Sequence, residues 1–271
     1  MIAEASFRSG VLANAEHLYS DLWHRISEVR YTPEHVALVV IDDQSLAEHG
    51  DDPMVFWTPL FAKAATTLRK VGVPVIGIDF LFGFTPEDWI TKRHLDGTEA
   101  LRDYDLPFRQ ELNQGGVVLV GAVVRGSGGS KDGVLLAHPD YLLSLPSTDF
   151  ATHIGYADLM TDQDGGVLLA ARAAGLDPSA SRWVVANRPT TTTRVHNISY
   201  AGPPGTIPRV SLSKVLAEGA EHDPSVQALR GKVVIIGGDF QGMNDVHSTP
   251  YTGRLLTGGG GLMAGVEIQA N

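Results

Sequence analysis

The chain alternates short unbroken apolar runs with longer stretches whose apolar residues recur at helical spacing, which predicts an α/β fold. Residues 11 to 30 place Leu18, Leu22, Ile26 and Val29 four, four and three apart. That spacing traces one stripe of an amphipathic N-terminal helix, which Thr32-Pro33 should end. The run from Val36 to Ile41 is too short and too β-branched for a helix, so it reads as a buried strand. Leu60 to Val71 is helical again, with Lys63, Arg69 and Lys70 toward water. Gly72 and Pro74 close that helix ahead of a second strand over 75 to 80. Strand, helix and strand with short links make a right-handed βαβ unit, which predicts parallel strands lying as near neighbours.

Further along, Leu101 to Gln114 reads as a helix feeding a strand from Gly116 to Val124. Residues 125 to 133 have loop composition, and 139 to 150 show no period. The turn D-Q-D-G-G within 155 to 174 predicts a hairpin, and Trp183 to Val185 and Thr191 to Val195 lean toward edge strands. Ser211 is placed to cap a helix through Leu216, with Gly219 as its C-terminal stop. Val233 to Ile236 is the last strand, and the chain ends on M-A-G-V-E-I-Q-A-N, the start of a helix.

With 271 residues, 43% of them hydrophobic, the chain is long enough to bury a sizeable core, and a single domain over 1 to 271 is expected. Acids outnumber Lys plus Arg by 31 to 21, a net charge of -10 that repels polyphosphate and argues against nucleic acid as a partner. There is no cysteine, which removes disulfides, thiolate metal sites and a cysteine nucleophile. The longest apolar stretch, Gly116 to Val124, is far short of the ~20 residues of a membrane helix.

Candidate chemistry gathers where apolar strands run into acids: V-V-I-D-D with Asp42 and Asp43, G-I-D-F-L-F with Asp79, and V-V-I-I-G-G-D-F-Q-G-M-N-D ending at Asp245. A strand-end aspartate either caps the next loop or helix through backbone N–H groups or contributes to a ligand site. If the strands are neighbours, Asp42, Asp79 and Asp245 converge at the carboxyl edge of one sheet, an oxygen-rich set suited to Mg²⁺ or Ca²⁺. His247 is the nearby imidazole but reads as solvated or hydrogen-bonded. Asp162 and Asp164 open like a calcium loop yet lack its closing acids. Gly202-Pro203-Pro204-Gly205 lacks the Lys-Ser/Thr of a phosphate loop and reads as a rigid turn, and Trp57 reads as a core anchor.

The ordered series V-I-D-D-Q-S-L, I-D-F-L-F, I-S-Y-A-G-P-P-G-T, G-K-V-V-I-I-G, D-V-H-S-T-P and A-G-V-E-I-Q-A-N resembles a CHASE2 domain, from about His17 to Asn271. The resemblance implies an extracytoplasmic sensory domain of a bacterial membrane receptor, built as a three-layer α/β fold with a mixed, mainly parallel sheet. It also implies membrane helices in the parent protein, one before Met1 and several after Asn271. The cytoplasmic output would be an adenylate or diguanylate cyclase, a histidine kinase or a Ser/Thr kinase. Such a fragment is expected to bind a small molecule or ion through Asp42, Asp43, Asp79 and Asp245, to pair as a homodimer, and not to be an enzyme itself. Two rivals stand beside it: a metal-dependent hydrolase using the aspartate cluster, and a dimerisation module without a ligand.

Overall fold

A computed structural model of the chain describes residues 19, 21–95, 101, 103–124, 133–147, 153–156, 198–252 and 261–271. The expected hairpin turn with Asp162 and Asp164, the edge segments Trp183 to Val185 and Thr191 to Val195, and Leu18 lie outside the described residues.

The N-terminal helix α1 covers 21–27 and stops short of the expected Arg30, because Glu28 turns into the left-handed region at φ 47°. Then come strand β1 (Val36–Ile41), helix α2 (Asp43–His49), a 3₁₀ turn (Met54–Trp57) and helix α3 (Thr58–Val71). Gly72, at φ 93°, ends α3 and leads into β2 (Val75–Ile78), where Pro74 and the four buried residues match the pattern expected of a strand start. Helices α4 (Pro86–Lys92) and α5 (Leu106–Asn113) precede β3 (Val117–Val124) and β4 (Gly133–Leu135). Helix α6 (Pro139–Leu143) occupies the stretch without sequence period, started by Pro139 and by His138 as cap. Beyond it lie β5 (Ile154–Tyr156), β6 (Arg209–Ser211), α7 (Leu212–Leu216), α8 (Pro224–Gln227), β7 (Val233–Gly238), β8 (Val246–His247), β9 (Met263–Ala264) and the C-terminal helix α9 (Gly265–Gln269).

Six strands run β4-β3-β2-β7-β1-β6, and β5 joins the edge of β3. Every pairing within the sheet is parallel except β3 with β4. The βαβ connection between β1 and β2 therefore spans one position that β7 fills, so the two strands are parallel, as expected, and near neighbours without being adjacent. Register matches Ile41 to Gly238 and Ile78 to Ile236, so β2 ends two residues below β1.

Alternation along the strands feeds two faces. Val39, Ile41, Ile76, Ile78, Val234 and Ile236 point into the large core, where α3, α5, α6, α7 and α8 deliver Phe61, Leu68, Phe108, Leu112, Tyr141, Val215 and Val226. Trp57, 1% exposed, anchors this core and donates its indole N–H to the Asp52 carbonyl at 3.0 Å. On the opposite face Leu38, Val40 and Ile235 meet Ala264, Val266 and Ala270 around α9. Helices on one face and α9 on the other make three layers, with Tyr200, Tyr251, Met263 and Ile268 forming a small third cluster.

Candidate functional site

Asp42 is a helix cap. Its Oδ1 accepts from the Ser45 amide at 2.9 Å, the Ser45 hydroxyl at 2.7 Å and the Ser211 hydroxyl of β6 at 3.0 Å. Partial burial pushes its carboxyl up, but these serine hydrogen bonds outweigh burial and the net shift is downward. Ser211 spends its hydroxyl here rather than on the first turn of α7, the role its position suggested. Asp43 accepts the Gln241 amide at 3.0 Å and so holds the loop after β7.

Asp79 follows Ile78, which points into the large core, and alternation therefore turns the carboxylate to the α9 face. There its Oδ1 accepts from the Gln269 side-chain amide at 3.2 Å. Burial first, then repulsion from Asp245, pushes the Asp79 carboxyl up to about 6, with the Gln269 hydrogen bond opposing them. Phe80 and Phe82, immediately downstream, pack on Phe61, and Phe82 also stacks against Phe108 at 4.9 Å, so the strand end is fixed by the core.

Asp245 reaches the same place from the other side. The short ladder of β8 and β9 pairs Val246 with Ala264, which sets Asp245 beside Gly265, whose amide donates to the Asp245 carbonyl at 2.9 Å. A Cβ at Gly265 would strike the Asp245 carboxylate, and a Cβ at Gly237 would strike Val266, so two glycines let α9 lie close on the sheet. His247 pairs with Asp245 Oδ1 at 2.7 Å.

The structure thus sets Asp79 and Asp245 on the α9 side of the sheet, within electrostatic reach of each other, and leaves Asp42 apart. Asp42 is turned toward β6, away from β7 and β2, and two strand spacings, about 9.5 Å, separate β1 from β2. The three carboxylates expected to share one cation do not close on a point. Among the described residues no group of three or more His, Asp or Glu side chains is placed to hold a metal. Beside Asp79 opens a recess walled by Gly77, Val118, Val120 and Ile235, with Gln269 on its rim. Among the described residues neither Asp79 nor Asp245 has a Lys or Arg ion-pair partner.

Three residues of this region escaped the sequence reading. Glu267 on α9 is 2% exposed, and it accepts the Gly205 amide at 2.8 Å and the Ile207 amide at 3.4 Å. Arg209 of β6 pairs with Glu267 at 2.7 Å and with Asp239. Gly202-Pro203-Pro204-Gly205 is the rigid turn expected, closed by the Thr206 amide and hydroxyl on the Pro203 carbonyl, and it serves as a mount for Glu267. Asn271 accepts the Ala201 amide at 2.7 Å, while the Ala201 carbonyl accepts the Arg30 amide at 2.7 Å. The two ends of the described chain therefore meet across one residue. No signal short of a known packing partner marks Arg209, Glu267 or Gln269 as special.

No curated protein and no solved structure matches the chain. The family model of the CHASE2 domain matches it over residues 1–271. That family is sensory and non-catalytic, and its domains are the extracytoplasmic parts of membrane receptors. No helix among the described residues is long and apolar enough to cross a membrane. The mostly parallel sheet between helices, the acidic strand ends and the full-length family match together place the chain in the CHASE2 family, the extracytoplasmic sensory domain of signalling receptors.

Proposed function

We propose that this domain senses a small cation beside Asp79, on the side that Asp245 faces, and reports it through α9. The observation that carries the reading is the hydrogen bond from Gln269 to Asp79, because it joins a strand-end carboxylate to the last helix of the chain. Two acids without a Lys or Arg partner among the described residues favour positive charge, and the recess beside Asp79, about 10 Å³, has room for about one water-sized occupant. A divalent cation such as Mg²⁺ or Ca²⁺, bound by Asp79 and Asp245 and completed by water or backbone oxygens, is an occupant of that size. Asp42 and Asp43 serve the site from behind by fixing α2 and the Gln241 loop.

On this reading residues 1 to 271 act as one sensory unit, flanked in the parent receptor by membrane helices and working as a homodimer. Its output would be a cyclase or kinase of the classes named above. A ligand that displaces Gln269 from Asp79 has different affinity for the two positions of α9, and that difference is what can be transmitted. Calorimetric titration with MgCl₂ and with CaCl₂ tests the site. Saturable binding by one of them that Asp79→Asn abolishes is expected. Equal heats in wild type and variant, or none, refute it.

A further inference from the structure

Helix α1 is seated the wrong way round for a surface helix. His24 is 6% exposed and meets Tyr200 and Tyr251 edge-on at 5.9 and 6.0 Å, and Arg25 Nε donates to the Pro250 carbonyl at 2.7 Å. The Tyr251 hydroxyl donates to the Glu28 carbonyl at 3.2 Å. The polar side of the helix thus faces the domain. The apolar side faces out, with Tyr19, Leu22, Trp23, Ile26 and Val29 exposed by 69, 49, 53, 60 and 55%. An amphipathic helix buries its apolar stripe when it can, so this stripe is made for something that is not its own core.

We infer that the occupant is the same stripe of a second copy, in a parallel helix pair about a two-fold axis. Three observations select it. First, Tyr19, Leu22 and Ile26 are spaced three and four, and Val29 follows just past the turn at Glu28. That is the a/d spacing of a two-helix pair, with exposed Trp23 flanking it. Second, residues 19 to 31 hold Asp21 and Glu28 against Arg25 and Arg30, so this strip is locally neutral in a chain of net charge -10. Two copies can close here without the repulsion the rest of the surface would impose. A helix that lies on an anionic membrane instead carries excess Lys and Arg on its polar side. Third, five side chains about half exposed offer on the order of 500 Å² per copy. Doubled, that reaches the roughly 1,000 Å² at which a specific interface begins.

The parallel sense rests on the receptor reading, since one membrane holds both N-termini on the same side. The pairing itself does not. His24 touches Tyr200 and Tyr251, which cluster with Ile268 of α9, so the seam and the C-terminal helix share one small core.

The chain has no cysteine, which makes single-cysteine crosslinking clean. Under oxidation Ile26→Cys and Leu22→Cys should each give a disulfide-linked dimer of the full chain, and exposed Lys63→Cys should not. Analytical ultracentrifugation should show reversible dimerisation in the micromolar range for wild type. The double variant Leu22→Ser/Ile26→Ser should lose it at least tenfold while melting within about 2 °C of wild type. A monomer at all concentrations, equal crosslinking at Lys63 and Ile26, or a large drop in melting temperature in the double variant overturns the inference. So does stripe-dependent cosedimentation with phosphatidylglycerol vesicles, which assigns the face to lipid. Crosslinking only in a mixture of Leu22→Cys with Ile26→Cys keeps the seam and overturns its parallel sense. Cation binding is titrated on the double variant too: binding retained without dimer, or dimer without binding, separates failure of this interface from failure of the ligand site.

Discussion

Asp79→Asn should make the protein more stable at neutral pH and no more stable at acid pH. In the folded chain the Asp79 carboxyl titrates near about 6 against 3.8 when unfolded, because it is buried beside Asp245 with only Gln269 in its favour. The folded state therefore binds the proton more tightly than the unfolded state. Its contribution to stability is fully present below 3.8, is lost as pH rises toward about 6, and is absent above. The gap between 3.8 and about 6, at about 1.4 kcal/mol per pH unit, amounts to about 3 kcal/mol. Asparagine cannot ionise, keeps an oxygen for Gln269 and offers an amide toward Asp245, so it removes the penalty without emptying the site. Urea unfolding of wild type and variant from pH 4 to 8 is the assay. The curves should coincide near pH 4 and diverge to about 3 kcal/mol by pH 7.5, an increase of roughly 6–10 °C in melting temperature. Adding the cation that binds should raise the wild type toward the variant at pH 7.5 and leave the variant unmoved. Parallel curves, or a variant less stable at pH 7.5, would show that the carboxylate is held by favourable partners and that no unbalanced charge awaits a ligand.

Four other outcomes follow from the same contacts. Glu267→Gln removes the charge that pairs with Arg209 where the carboxylate also accepts the Gly205 and Ile207 amides, and should cost about 3 kcal/mol in chemical denaturation. Gly265→Ala and Gly237→Ala force α9 off the sheet against Asp245 and Val266; each should cost about 1–3 kcal/mol and weaken cation binding as well. Asp42→Ala removes the α2 cap and the Ser211 contact, for about 1–2 kcal/mol in urea unfolding at pH 7. Because the Asp42 carboxyl is held low, that loss should be full above its unfolded value of 3.8 and shrink as pH falls below it.

Strands Val36–Ile41 and Val233–Gly238 are legible in the sequence because a strand buried on both faces is a continuous β-branched run bounded by turn residues. The order of the strands is not. Nothing local in residues 233 to 238 says that they insert between β1 and β2, yet that insertion separates Asp42 from Asp79. Which carboxylates meet is then decided by alternation and by caps. Asp79 falls on the α9 face, and Asp42 is consumed by Ser45 and Ser211. The N-terminal stripe shows the complementary limit. Its period is plain in the residues, but a period does not say which face looks inward, and here His24 and Arg25 settle it through Tyr200, Tyr251 and Pro250.

The residues that tie α9 down were unreadable for a geometric reason that also bears on how it could move. Asn271 lies just past the end of α9, and its Nδ2 donates to the Glu267 carbonyl at 2.8 Å, which brings it to the Glu267 side of the helix. That side is fastened to the segment 201 to 209 through Ala201, Gly205, Ile207 and Arg209. Gln269 lies two residues from each, on the other side of the helix at 100° per residue, and holds Asp79. Helix α9 is therefore gripped from both flanks: by several charged or backbone hydrogen bonds on one and by a single neutral-to-charged bond on the other. The weaker grip is the one that any ligand of Asp79 must compete with. Val266 and Ile268 also bury the helix in the two smaller cores, so losing the Gln269 bond alone would leave α9 attached at its Glu267 side, next to Ala201 and the Arg30 amide.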